Sequence, residues 1–145
     1  ARPMASHFFV LRKDEIMPVR GIRGAVTVDQ DIPDVIINAT RTLLKAIMVA
    51  NPDLRVNDIA SVWFTLTDDL RSEFPAKAAR QLGWTETPLM CAAEIPVPGS
   101  LPRCIRVLIH WNTDQQQPQI QHIYLGEAIQ LRPDLACCET KENQK

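Results

Sequence analysis

Hydrophobic positions recur along this chain with two different periods. Between Ile32 and Met48 the apolar residues Ile32, Val35, Ile36, Ala39, Leu43, Ile47 and Met48 fall three and four apart, the spacing of a helix with one buried face. Asp31 and Pro33 resemble its start, and Asn51-Pro52 ends it. Other segments carry short apolar runs or strict alternation rich in β-branched residues, so 19–28, 59–66, 87–95 and 104–111 read as strands, with 59–66 a buried one. Residues 74–82 read as a short second helix closed by Gly83. After a turn over 112–118, segments 120–125 and 128–131 read as extended, with Gly126 a bend between them.

The resulting order, β-α-β-α-β-β-β, predicts an α+β fold: a mixed β-sheet packed with one long helix and a short helix. At 145 residues and 46% hydrophobic, the chain has material for one domain with a real core. We place that domain at 18–135, with 1–17 as an N-terminal extension of disordered character and 136–145 as a mobile C-terminal tail.

One residue breaks the pattern. Arg106 lies within Cys104-Ile-Arg-Val-Leu-Ile109, where alternation puts Ile105, Val107, Ile109 and Trp111 on one strand face and Cys104, Arg106, Leu108 and His110 on the other. An unpaired guanidinium is costly to bury, so something anionic is expected to meet it. A structural ion pair or a strand end at the surface would also account for it.

Charge narrows the function classes. Sixteen Lys and Arg against seventeen Asp and Glu give a net charge of −1, which argues against the broad basic field of a nucleic-acid binder. Eleven of the sixteen cations are arginine, the side chain suited to bidentate contact with carboxylates. Cys91, Cys104, Cys137 and Cys138 form no CxxC pair, and His7, His110 and His122 lack the spacing of a zinc site, so neither a disulfide framework nor a metal is expected. No apolar stretch has the length of a membrane span, and the expected location is cytoplasmic.

Polar residues inside apolar segments are Arg23, Cys91, Glu94, Arg106, Tyr124 and Arg132, joined by Lys77 and Arg80 on one face of the short helix. Cations dominate this set, as a site for a small dicarboxylate requires, while Glu94 with Cys91 could hold a hydroxyl. No nucleophile stands with a base in a recognisable motif. Each residue also has a structural reading. Arg23 could pair with Asp29 or Asp31, Glu94 could be a solvated strand-end charge, Tyr124 a half-buried sheet aromatic, and Lys77 and Arg80 a water-facing surface.

In this order, the segments Arg20-Gly-Ile-Arg-Gly-Ala25, Phe74-Pro-Ala-Lys-Ala-Ala-Arg80, Cys91-Ala-Ala-Glu94, Cys104-Ile-Arg-Val107, Tyr124-Leu125 and Leu131-Arg-Pro-Asp-Leu135 resemble the monofunctional AroH-class chorismate mutases. The resemblance implies a trimeric pseudo-α/β-barrel, a homotrimer with sites in clefts between subunits, and no cofactor. It also implies the Claisen rearrangement of chorismate to prephenate, a concerted step in aromatic amino-acid biosynthesis. Holding a flexible dianion in its reactive shape and stabilising charge on the departing ether oxygen would then suffice.

By the same resemblance Arg106 would donate to the ether oxygen and one carboxylate, and Arg23 would bind the enolpyruvyl carboxylate. Glu94 and Cys91 would hold the ring hydroxyl, and Tyr124 would orient a carboxylate. Phe74 and Leu131 would be apolar walls, with Lys77, Arg80 and Arg132 adding positive potential at the mouth. Met90 stands where the family often has a small hydroxyl residue. A non-catalytic trimeric module that binds a small carboxylate as a regulator is the competing expectation; it would have no need to read a ring hydroxyl.

Overall fold

Helix α1 (Pro33–Ala50) forms where the helical period predicts it and buries Ile36, Ile37, Thr40, Leu43, Leu44 and Ile47. In this computed structural model, which describes residues 17–136, Pro33 opens the helix with its ring-fixed φ and Ile32 stands at the N-cap. Asp31 is adjacent to the start but does not cap it. Its Oδ1 instead accepts the Arg71 and Ser72 N–H groups, each at 3.0 Å, and ties down the loop ahead of the second helix. At the other end the buried Asn51 donates its side-chain amide to the Ile47 and Gln121 carbonyls, both at 2.9 Å, and accepts the Gln121 N–H. The helix end is thereby fastened to the segment that leads into the last strand.

Five strands, β1 (Val19–Thr27), β2 (Ile59–Leu66), β3 (Leu89–Ala93), β4 (Cys104–Asn112) and β5 (Ile123–Leu125), form one sheet in the order β3-β2-β4-β1-β5. Both pairings of β4 are antiparallel, while β2–β3 and β1–β5 are parallel, so the sheet is mixed as predicted. Helix α1 and the short α2 (Ala76–Gln81) cover one face. Ile22 and Val26 of β1, Val62 and Phe64 of β2, and Ile105, Val107, Ile109 and Trp111 of β4 meet the buried side of α1 in the main core. Gly24 permits this approach. A Cβ there would lie 2.8 Å from Ile47 Cδ1 and 3.1 Å from Leu43 Cδ1 and Val107 Cγ1.

The opposite face is covered only in part. Ala25, Cys104 and Ala128 form a small second cluster with Leu101 and Tyr124, whereas Trp63 and Met90 remain 40% and 55% exposed. Strand β2 is therefore buried on one side rather than throughout, a correction to the reading of 59–66 as a buried strand.

A further correction falls near the C-terminal end. Residues expected to be extended at 128–131 belong to a 3₁₀ segment, Gly126–Leu131. Gly126 takes φ 60°, and Thr27 Oγ1 accepts the Glu127 N–H at 3.0 Å, which turns the chain off the β5 ladder. A run this short carries too few apolar positions to distinguish the two periods. The region after Arg132 begins with a helical turn, Pro133–Ala136, started by a proline in the position it favours. Of the expected extension at 1–17 and tail at 136–145, residues 1–16 and 137–145, with Cys137 and Cys138, lie outside the described residues.

Candidate active site

Strand register gathers charge on the face that α1 leaves open. Arg106 of β4 stands between Ala25 of β1 and Thr65 of β2, and Ala25 in turn pairs with Tyr124 of β5. Two residues before Ala25, Arg23 projects from the same face. Glu94 follows β3 directly, and its N–H donates to the Leu66 carbonyl at 2.9 Å, which prolongs the β2–β3 ladder and sends the carboxylate toward Arg106.

The anion expected to meet Arg106 is Glu94. Arg106 Nε donates to Oε1 at 2.7 Å and Nη2 to Oε2 at 2.5 Å, a two-pronged match of guanidinium to carboxylate. Thr65 Oγ1 also donates to Oε1. Arg106 nonetheless keeps 49% of its side-chain surface exposed, against 16% for Glu94. The apolar appearance of its strand comes from the residues facing α1, so the cation is paired and also accessible. Arg106 holds the Glu94 carboxyl below the usual range, aided by the Thr65 hydroxyl, while Glu94 in return raises Arg106. Beneath them, burial pushes the Cys104 thiol up to about 11, leaving it a neutral floor.

Arg23 makes neither of the pairs with Asp29 or Asp31 that its sequence neighbourhood allowed. Its Nε and Nη2 donate to the Tyr124 hydroxyl at 3.2 and 2.9 Å, and its backbone N–H donates to His122 Nδ1 at 3.0 Å. Tyr124 is half-buried, yet its hydroxyl is turned to the same opening. A cleft of about 330 Å³ runs between these groups, lined by Arg23, Trp63, Thr65, Glu94, Arg106 and Tyr124. A second hollow of about 260 Å³ lies on the other flank of the Arg106–Glu94 pair and includes Leu131. These are volumes suited to a small molecule.

The remaining predicted residues stand elsewhere. Cys91 is three residues from Glu94, which on a strand puts the two on opposite faces; Cys91 packs against the main core near Ala76 and Arg80 of α2. Burial raises its thiol pKa, with the Ala76 backbone and Arg80 acting in the other direction. Phe74 is 66% exposed just ahead of α2, and Lys77 Nζ pairs with Glu73 at 3.1 Å in the water-facing manner its position allowed. Arg80 is exposed on the same helix. Arg132 pairs with Asp134, Nη2 to Oδ2 at 2.8 Å. Within one chain, then, Arg23, Glu94, Arg106 and Tyr124 converge, Leu131 and Arg132 stand beside them, and Phe74, Lys77, Arg80 and Cys91 form a separate group.

Sequence reasoning missed Thr65, Trp63 and His122. The first two share a face by alternation within Ile59–Leu66, a signal hidden by treating that run as buried on both sides. For His122 only its position next to the β5 segment offered a hint.

Comparison with known proteins agrees with this geometry. Residues 19–135 match the family model for chorismate mutase type I. The chain is 56% identical over 117 residues to chorismate mutase AroH of Thermus thermophilus, covering 81% of this chain and 96% of that protein. It is 42% identical over 127 residues to chorismate mutase AroH of Bacillus subtilis strain 168, covering 87% and 99%. Among solved structures, a chorismate mutase from Clostridium thermocellum superposes with a TM-score of 0.73 at 51% identity, covering 74% of this chain and 96% of that one.

Proposed function

The chain belongs to the chorismate mutase type I family, and from that premise we propose how its residues divide the work of turning chorismate into prephenate. The enzyme rearranges chorismate by breaking one C–O bond while one C–C bond forms. No proton has to move, which suits a site of cations with no nucleophile and base. The regulatory alternative finds no support in relatives that are named as mutases.

Arg106 is assigned to the ether oxygen that gains negative charge and to a substrate carboxylate. The observation that carries this is its bidentate attachment to Glu94 by Nε and Nη2, which fixes the guanidinium plane while leaving Nη1 without an acceptor among the described residues. A donor aimed in advance at developing charge needs little reorganisation during the reaction. Glu94 is assigned to the ring hydroxyl, Arg23 to the enolpyruvyl carboxylate, and Tyr124, already bonded to Arg23, to carboxylate orientation. Leu131 is assigned as an apolar wall, and Arg132 adds positive potential beside it.

Cys91, Phe74, Lys77 and Arg80 complete the site from a neighbouring copy in this reading. Two facts support a homotrimer with shared clefts: the assigned set divides between two faces of one chain, and the described residues cover the sheet face bearing Trp63 only in part. Such an assembly is the trimeric barrel expected of the family. The catalytic domain is assigned to 18–135, flanked by 1–17 and 136–145, in line with the family match over 19–135. A cytoplasmic location is part of this reading and suits Cys91 and Cys104, which are both free thiols.

The test is a continuous assay of chorismate loss with prephenate identified as product, paired with sedimentation of the full chain. Turnover by a trimer is expected. Turnover by a monomer would refute the shared cleft, and a folded protein with no turnover would refute the enzyme.

A further inference from the structure

Glu94 is held by more than Arg106. Thr65 stands directly across the β2–β4 register from Arg106, and its hydroxyl donates to the same Oε1 that receives Arg106 Nε. A carboxylate oxygen accepts two hydrogen bonds comfortably, so Oε1 is filled. Oε2 has one partner, Arg106 Nη2, and keeps one lone pair. Thr65 thereby sets both the tilt of the carboxylate and which oxygen is left for an incoming donor.

We propose that Thr65 is a positioning residue of the mutase site, which fills Glu94 Oε1 so that Oε2 alone receives the substrate's ring hydroxyl. This rests on the assignment of Glu94 to that hydroxyl. Thr65 lines the cleft with Glu94 and Arg106, but its own hydroxyl is committed to Glu94, so it acts through the carboxylate. The strand supplies the rigidity: as a β-branched residue on β2, Thr65 has few rotamers, and its backbone is fixed by ladders to β3 on one side and β4 on the other. Without the hydroxyl, Oε1 has an open lone pair, and the carboxylate can rotate about its own axis while keeping its charge contact with Arg106.

Thr65→Val removes the hydroxyl with little change in shape, and Thr65→Ser restores it. Since the ring hydroxyl is gripped in substrate and transition state alike, Thr65→Val is expected to raise KM about tenfold with kcat little changed, as losing a hydrogen bond to a charged group does. The acid limb of kcat/KM should move to higher pH, because one of the groups favouring the ionised Glu94 is gone. Thr65→Ser should return both readouts to within about twofold of the parent, a margin below the worth of one hydrogen bond. Far-ultraviolet circular dichroism and melting establish that each variant is folded. A folded Thr65→Val with parental KM and acid limb overturns the proposal, as does a loss confined to kcat or a Thr65→Ser as impaired as Thr65→Val. Glu94→Ala separates the two levels: if it is impaired while Thr65→Val is parental, only the role of Thr65 fails. If Glu94→Ala is itself parental, the assignment of Glu94 fails and the proposal with it.

Discussion

The two groups of functional residues differ in how far the chain itself organises them. On the open sheet face, Arg106, Glu94 and Thr65 are bonded to one another, and Arg23 is bonded to Tyr124. Around α2, Phe74 and Arg80 stand exposed, Lys77 is engaged by Glu73, and Cys91 is turned into the core side of β3. The first group is preorganised by strand register, whereas Phe74, Lys77 and Arg80 of the second lie at the surface. The difference teaches where each kind of catalytic contribution resides. In the proposed assignment, charge aimed at the reacting atom would sit on the central strand, and contacts that shape or attract the substrate would sit on and beside a peripheral helix.

This contrast makes graded predictions. Arg106→Ala should lower kcat by about 10²-fold or more, the usual consequence of removing a preorganised donor, and Arg106→Lys should fail nearly as badly because an ammonium does not reproduce the guanidinium fork. Steady-state kinetics on the folded variants decide this; a loss of only a few-fold would move the principal role off β4. Arg80→Ala should raise KM by roughly tenfold and spare kcat, as loss of a charge that attracts and holds an anion in both states. A larger effect on kcat than on KM would erase the distinction between the two groups.

The pH dependence should separate them as well. Glu94 is useful as a carboxylate, and Arg106 followed by Thr65 keeps its pKa below the ordinary 4.5. Ionised Glu94 stabilises the fold and the site above that range, and the contribution is lost as pH falls through the lowered folded value. The acid decline of kcat/KM should therefore have its midpoint below the ordinary 4.5, with melting temperature following. An acid midpoint above that ordinary value would show that Arg106 does not hold Glu94 ionised. The smallest change is expected of Cys91→Ala, about two- to threefold in KM, the size of one weak hydrogen bond. A loss matching Arg106→Ala would place the thiol at the reacting centre.

The sheet, the long helix and the need for an anion at Arg106 were legible in the sequence because each follows from local periodicity. Alternation along β4 correctly put Arg106 opposite Ile105 and Val107. What failed was whatever depends on partners distant in sequence. Asp31 was read as part of a helix start, but it ties the loop at Arg71 and Ser72 instead. The extended reading of 128–131 missed a turn made by Thr27 and Gly126 from separate segments. Thr65 passed unnoticed because its meaning comes from standing across from Arg106, which no property of its own strand reveals. Within one chain, a three-residue step along a strand turns Glu94 and Cys91 to opposite faces, which closeness in sequence does not show. The family resemblance carried the function further than local reading did, since it treats the divided set as one site.

The central claim is that those two groups become one site across a subunit boundary. Hybrid trimers of Arg106→Ala and Arg80→Ala subunits, made by co-refolding and separated by a charged tag, test it most directly. Each site in a closed ring takes one group from each of two neighbours, so a random equal mixture should recover about a quarter of the parental sites. At substrate well below KM, a kcat/KM above that of either variant alone is the predicted result. Purified hybrid trimers whose kcat/KM is no higher than the average of their parents' would contradict it.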